Sequence, residues 1–232
     1  GVITNIGEAH IENFSSVYGI ARAKSEIIES ISAGGTIILN RDDKFFNYLS
    51  KKAKLYKLKI LTFGHHKKAD IQLKKIIKKG VFSKIFININ NKIIDLEIRD
   101  LNIYNVLASI AVLKVLKIDI NKIKVKLKNF ESPEGRGKKY KIIRYKKKFN
   151  FIDESYNANP LSVKNAINKL NLIKKVKFKK YLILGDMLEL GSKSDKYHEQ
   201  LSKVINNSDI DKVFIQGKKT IFTYKQINKD KR

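Results

Sequence analysis

A carboxylate and an imidazole two residues apart, Glu8 and His10, follow the apolar segment 2–6. Oxygen and imidazole donors after a strand end are divalent-cation ligands by type, although an ordinary hydrogen-bonded loop contains the same pair. Lys24 sits on the helical segment that follows, and by itself it reads as a surface lysine. Arg136 stands between Gly135 and Gly137. Missing side chains on both sides would let a phosphate reach a bidentate guanidinium, and a plain turn arginine fits equally well. Residues 153–160, Asp-Glu-Ser-Tyr-Asn-Ala-Asn-Pro, lie between a strand-like and a helix-like segment. Their two acids could accept sugar hydroxyls or touch a metal, their amides could read a polar ligand, and a helix N-terminus would add donors. An ordinary capping loop uses the same residue types. Residues 184–191, Leu-Gly-Asp-Met-Leu-Glu-Leu-Gly, form another strand end with two glycines and two acids. His65 and His66 lie in a Lys-rich turn, and His198 lies on a helix. The chain contains no Gly-x-x-x-x-Gly-Lys-Ser/Thr phosphate loop, so spacing alone does not reveal a complete nucleotide site.

The elements that must position these groups alternate. Residues 2–6 read as a buried strand, 17–31 as a helix with apolar positions at helical spacing, and 36–39 as a β-branched strand. Asp42 and Asp43 can start the next helix. Such a β-α-β-α pattern predicts a mainly parallel sheet covered by helices, with ligands beyond the carboxyl ends of its strands. Segments 59–63, 71–77, 83–89 and 93–98 read as antiparallel hairpins appended to that sheet, with Asn90-Asn91 as a tight turn. Residues 102–116 and 120–127 return to helical periodicity. Ser-Pro-Glu-Gly-Arg-Gly at 132–137 is the clearest punctuation, which divides the chain into expected domains 1–133 and 134–232. The second repeats the α/β alternation, with strands at 140–145, 149–152, 181–184 and 212–215 and helices at 161–173 and 195–205. The expected fold class is therefore α/β throughout.

Composition bounds the rest. With 43% hydrophobic residues, 12 Gly and 2 Pro in 232, the chain has enough material for a core and is neither disordered nor collagen-like. Lysines interrupt every apolar run well short of the ~18 residues a membrane span needs. Zero Cys excludes disulfides, a thiolate nucleophile and a Cys-based zinc site, and it agrees with the cytoplasmic location expected by default. The chain starts with Gly and shows no signal-peptide pattern, so its N-terminus is expected to be a cut one. The 49 Lys+Arg exceed the 22 Asp+Glu by 27, but Lys outnumbers Arg 43 to 6 and runs from Lys24 to Lys231 among many Ile and Asn. An AT-rich coding sequence would produce that mix. A nucleic-acid binder more often clusters Arg with aromatics on one face, so a solvated Lys-rich surface, a monomer and no specific nucleic-acid partner are expected.

Seven pieces, in order and spacing over nearly the whole chain, resemble the Mur ligase family, the ATP-dependent amide-bond-forming enzymes of peptidoglycan precursor synthesis. They are Thr-Asn-Ile-Gly-Glu-Ala-His at 4–10, Ile-Ala-Arg-Ala-Lys-Ser-Glu-Ile at 20–27, Leu-Asn-Arg-Asp-Asp at 39–43, Asn-x-x-Asn-x-Leu-Ala at 102–108, Gly-Arg at 135–136, and the segments at 153–160 and 184–191. The last two are characteristic of the member that adds D-alanyl-D-alanine. The resemblance implies a partial central ATPase domain, a parallel sheet with antiparallel hairpins, followed by a smaller Rossmann-like C-terminal domain. It implies ATP and Mg2+ as cofactors, and UDP-N-acetylmuramoyl-tripeptide and D-alanyl-D-alanine as substrates. It makes His10 a magnesium ligand and Lys24 a carbamylated lysine that helps place the metal. Asn102 and Asn105 fall on the adenine side, Arg136 contacts phosphate and Glu154 holds the ribose. Tyr156, Asn157 and Asn159 belong to a motif that lines the family's active-site cleft. The catalytic set is then Lys24, His10 and Arg136. The implied chemistry is phosphoryl transfer to the tripeptide carboxylate, attack of the dipeptide amine on the acyl phosphate, and loss of phosphate.

There are departures from the family pattern. Leu101 stands where the family usually has His, which weakens adenine-side packing more than chemistry. The family's phosphate loop, the metal-binding Glu after it and the N-terminal domain would precede Gly1, and the last strands would follow Arg232, so the chain is expected to be incompetent alone. Two other readings are open: another Mur or folylpolyglutamate-type ligase, and a basic nucleic-acid-binding protein.

Overall fold

Alternating apolar strands and one-sided helices build a six-stranded sheet in the computed structural model, which describes residues 1–8, 11–14, 16–79, 82–99, 101–176 and 178–232. The order along the chain is β1 (Val2–Ile3), α1 (Ile11–Phe14), α2 (Val17–Glu29), β2 (Thr36–Asn40), α3 (Phe46–Leu55), β3 (Lys59–Gly64), β4 (Ile71–Lys79), β5 (Phe82–Ile89), β6 (Lys92–Arg99) and α4 (Ile103–Val115). A 3-10 turn, Ile120–Ile123, and α5 (Lys124–Asn129) replace the single helix expected over 120–127. Next come β7 (Lys138–Arg144), β8 (Lys147–Asp153), α6 (Pro160–Asn171), β9 (Tyr181–Gly185), α7 (Ser194–Asn206), β10 (Lys212–Gln216) and α8 (Thr220–Gln226). The chain forms two compact units: Gly1–Ile6 with Ala21–Ser132, and Gly7–Ile20 with Pro133–Arg232.

In the first unit the sheet order follows the chain from β1 to β6. Strands β1, β2 and β3 are parallel. The segment 59–63, expected among the hairpins, is thus a full member of the parallel part, because α3 carries the chain back across the sheet before β3 begins. Strand β4 starts where β3 ends and runs parallel to it over two pairs, Phe63↔Ile71 and Gly64↔Gln72. From there β4, β5 and β6 are antiparallel, as expected for hairpins. Asn90 and Asn91 take φ values of 51 and 62°, the double left-handed turn that matches strand twist. Helix α4 lays Val106, Leu107, Ile110 and Ala111 on Phe63, Ile71, Ile85, Ile87 and Leu96, all buried in one core.

Gly64 is a buried glycine with φ +146°, and a Cβ there would lie 2.6 Å from the Asp42 carboxylate. Gly64→Ala is expected to destabilise the chain by about 1–2 kcal/mol, read as a lower urea midpoint with an unchanged slope.

In the second unit β7 and β8 form a two-stranded antiparallel hairpin that turns at Tyr145 and Lys146, with φ 49 and 59°. Strands β9 and β10 pair in parallel. Its core includes Ile167 from α6, Leu201 and Ile205 from α7, and Leu184 and Val213 from the strands. Helices α1 and α8 went unforeseen because four and seven residues are too short for periodicity to show.

Candidate functional site

Residues 40–43 tie three strand and helix ends together. The Asn40 amide donates to the Thr4 carbonyl (3.1 Å), and its oxygen accepts the Asp42 N–H (2.9 Å). Asp43 accepts the N–H groups of Ile6 (2.7 Å) and Phe45 (2.8 Å), which fixes the exit of β1. Asp42 accepts the N–H groups of His65 (2.6 Å) and His66 (2.9 Å) beyond β3, and the Tyr104 hydroxyl (3.0 Å) on α4. In a mainly parallel sheet this carboxyl-end rim is where ligands gather.

Asn102 is the N-cap of α4, its side chain accepting the N–H groups of Tyr104 and Asn105. The Asn105 side chain is exposed on the first turn. Lys24 is exposed on α2, and its ammonium donates to the Asn5 carbonyl (3.1 Å). His10 lies outside the described residues.

Burial pushes the Tyr104 phenol up, and the neighbouring Asp42 adds to this, to about 12. A raised value in the folded state means stability is full below pH ~10 and is lost as pH rises toward 12. Alkaline titration at 295 nm should therefore show Tyr104 ionising after the solvent-exposed tyrosines, and Asp42→Asn should lower it part of the way, since the burial remains.

In the second unit, Asp153 closes the Gly-flanked loop. Its carboxylate accepts the N–H groups of Gly135 (3.0 Å) and Ser155 (3.0 Å), and its carbonyl accepts the Gly137 N–H (2.7 Å). Hydrogen bonds from Ser155, then from the Gly135 N–H, hold its carboxyl below the usual range. Gly135 is buried at φ +69°, and a Cβ there would lie 2.7 Å from that of Tyr156. The Arg136 guanidinium lies over the Tyr156 ring, 4.2 Å from its centroid. Stacking uses the guanidinium face and leaves its N–H groups pointing outward in the plane, the edge that grips a phosphate. Glu154 lies beside Gly137, with its carboxylate 3.8 Å from the Lys169 ammonium. Asn157 is exposed, whereas Asn159 is the N-cap of α6 in a reciprocal box with Ser162, with Pro160 at the first helical position. The loop therefore gathers Arg136, Glu154 and Tyr156, while the Asn159 carbonyl oxygen serves the helix.

The segment after β9 acts as a brace. Burial pushes Asp186 up, but N–H bonds from Lys219, Thr220 and Lys218 at the start of α8 outweigh it and hold the carboxyl low. His198 is buried, accepts the Met187 N–H at Nε2 (2.9 Å), and donates from Nδ1 to the Ser194 carbonyl (2.8 Å). This buried His has a structural role that sequence reasoning missed. Its spacing from Leu201 and Ile205 on one helix face is the signal that could have revealed it. Glu12 accepts the Gly191 N–H (3.2 Å), which docks α1 on the same segment. Among the described residues no three His, Cys, Asp or Glu come together as a metal cage.

Residues 1–113 match the Mur ligase middle domain, and residues 140–230 match the Mur ligase, glutamate ligase domain. The chain belongs to the Mur ligase family. Among curated proteins, this Mur ligase chain is 34% identical to the UDP-N-acetylmuramoyl-tripeptide--D-alanyl-D-alanine ligase of Buchnera aphidicola subsp. Baizongia pistaciae, over 94% of its own length and 46% of that protein's. The ligases of the same name from Rickettsia prowazekii and Bacillus subtilis are 33% and 31% identical, over 96% and 94% of the chain and 49% and 46% of their own lengths. The chain thus spans about half the length of the curated relatives it matches. Among solved structures, MurF from Acinetobacter baumannii superposes with a TM-score of 0.84 at 26% identity, over 97% of the chain and 48% of that protein. MurF from Thermotoga maritima, solved in complex with ADP, has the same fold, with a TM-score of 0.81 at 23% identity over 99% of the chain and 51% of that one.

Proposed function

We propose that this Mur ligase chain works within an ATP-dependent ligase that joins D-alanyl-D-alanine to UDP-N-acetylmuramoyl-tripeptide in the cytoplasm, with 1–133 as part of the central ATP-binding domain and 134–232 as part of the C-terminal domain. The observation that carries this reading is that relatives of one name match at 31–34% identity through both units. The motifs at 153–160 and 184–191, which form a braced loop system in the second unit, favour the D-alanyl-D-alanine acceptor.

The reaction moves the terminal phosphoryl group of ATP to the tripeptide carboxylate, giving an acyl phosphate and ADP. The dipeptide amine then attacks the acyl carbon, loses its proton, and expels phosphate. Positioning and charge neutralisation supply the acceleration. Arg136, stacked on Tyr156, is assigned to the transferred phosphate, Glu154 to the ribose, and Asn102 and Asn105 to the adenine side. Asn157 and Asn159 line the same motif.

As an ammonium group Lys24 cannot ligate magnesium; carbamylation by carbon dioxide would give it oxygen donors, and His10 is assigned as its partner ligand. The described residues alone do not form a cage for the ion.

The test is acceptor choice in a full-length ligase carrying these residues. Phosphate release from ATP should require both the UDP-linked tripeptide and D-alanyl-D-alanine. Equal release with single amino acids would point instead to another member of the family.

A further inference from the structure

Strands β7 and β8 form a two-stranded sheet of their own, and much of it faces solvent. Ile143 is 69% exposed, Tyr145 82%, Phe149 47% and Phe151 40%. The register sets Ile142 opposite Phe149 and Tyr140 opposite Phe151, so aliphatic and aromatic groups share one face. Ile143 lies on the other face, and Tyr145 sits in the turn. A lone hairpin has no interior in which to bury such groups, and apolar side chains kept together at a surface mark a place of interaction. The charge is equally one-sided. Residues 138–148 read Lys-Lys-Tyr-Lys-Ile-Ile-Arg-Tyr-Lys-Lys-Lys, and no acid occurs between Glu134 and Asp153. The chain as a whole has 22 acids to 49 cations, so this stretch exceeds the general lysine bias. The two flanking acids are engaged at the base of the hairpin. Glu134 accepts the Lys138 ammonium (3.0 Å) and the Tyr140 hydroxyl (3.3 Å), and Asp153 closes the Gly-flanked loop.

We propose that the tip of this hairpin, with Ile143, Arg144, Tyr145, Lys147 and Lys148 at its centre, docks the chain on a bilayer surface that carries anionic phospholipid headgroups. The proposal does not depend on the ligase reading. Clustered cations are drawn to a smeared negative surface, each adding about fivefold to affinity. An aromatic ring beside an aliphatic side chain settles at the boundary between headgroups and acyl chains. Both features occur here within a few residues. A nucleic acid fits the same tip less well. Ile143 has no flat face to stack on a base, and the Arg144 guanidinium, 5.1 Å from the centroid of the Tyr145 ring, takes one face of that ring from stacking. The other cations at the tip are lysines, point charges without the fork that grips a single phosphate.

The test is co-sedimentation of the 232-residue chain, at physiological ionic strength, with phosphatidylcholine vesicles containing about one-third phosphatidylglycerol, and in parallel with pure phosphatidylcholine vesicles. The chain should bind the anionic vesicles and not the neutral ones. Its net charge of +27 makes it necessary to separate the hairpin from charge alone. Replacing Lys141, Lys147 and Lys148 together by glutamine should weaken binding by about a hundredfold. The same change at Lys51, Lys54 and Lys59, all exposed in the first unit, should weaken it by about threefold at most. Ile143→Thr combined with Tyr145→Asn keeps every charge and should weaken binding by about tenfold. Asparagine tolerates the left-handed backbone of position 145 (φ 49°), and all five substituted tip positions are exposed, so the fold is not at stake. Equal losses for the two lysine sets would overturn the docking site, since net charge would then be responsible. Absence of binding to the anionic vesicles would overturn it as well. Retention on single-stranded polyuridylate that depends on the tip lysines, without vesicle binding, would give the surface to a nucleic acid and overturn the membrane assignment.

Discussion

Replacing Arg136 by alanine in a full-length ligase carrying these residues is expected to lower turnover by ~100-fold or more, the scale of losing one preorganised charge contact to a developing anion. The geometry explains why the effect should be large. The loop bearing Arg136 is held at both ends by Asp153, through the Gly135 N–H to the carboxylate and the Gly137 N–H to the carbonyl. The guanidinium is further held by the Tyr156 ring, at 4.2 Å. A group so placed need not reorganise when charge develops on the transferred phosphate. Arg136→Lys keeps the charge but loses the planar fork, so most of the loss should persist. Tyr156→Leu should cost less, since it removes the stacking surface and leaves the guanidinium. Steady-state kinetics of the three variants checks the order, and wild-type-like turnover in Arg136→Ala would remove the role assigned to it.

The second large effect concerns stability. Lys180, at the entry to β9, has a side chain only 1% exposed. Its ammonium donates to both Asp209 oxygens (2.6 and 2.7 Å) and to the Asn171 carbonyl (3.1 Å). Each of its three protons has an acceptor, and the end of α6, the start of β9 and the approach to β10 are thereby pinned together. Asp209→Ala leaves that ammonium buried without its counter-charge, at a cost of about 3 kcal/mol. The figure sits at the low end for broken buried pairs because Asp209 itself is 41% exposed. Lys180→Met removes the charge and keeps most of the volume, so it should cost distinctly less. Urea unfolding of both variants, followed in the second unit, gives the comparison. Equal stability of Asp209→Ala and the parent chain would mean that the pair contributes nothing.

What the sequence shows follows from how local each signal is. Helix α4 announces itself because Val106, Leu107, Ile110 and Ala111 repeat at helical spacing and Asn102 stands where a cap belongs. The hairpin turn at Asn90-Asn91 is equally local. The partnering of β3 is not, because a six-residue apolar strand reads the same whether its neighbour lies before it through a crossover helix or after it through a hairpin. The site divides in the same way. Asp153 and Arg136 sit in segments marked by Gly, Pro and Asn, and so they stood out. Asp42 and Tyr104 gain their roles from partners 23 and 62 positions away, and no periodicity carries that information. Asn159 shows the reverse: its motif resemblance suggested a ligand contact, while its local context, just before Pro160 and three residues from Ser162, specified a helix cap.

The measurement closest to the central claim follows the oxygen atoms. A full-length ligase carrying these residues would be given UDP-N-acetylmuramoyl-tripeptide labelled with oxygen-18 in its terminal carboxylate, together with ATP and D-alanyl-D-alanine. An acyl-phosphate route transfers one labelled oxygen to the phosphate released, and the peptide product grows by one D-alanyl-D-alanine unit. That pair of outcomes is the one expected here. Product formed with unlabelled phosphate would contradict the acyl-phosphate route, and label transfer that ignores D-alanyl-D-alanine while another acceptor is joined would contradict the proposed substrate.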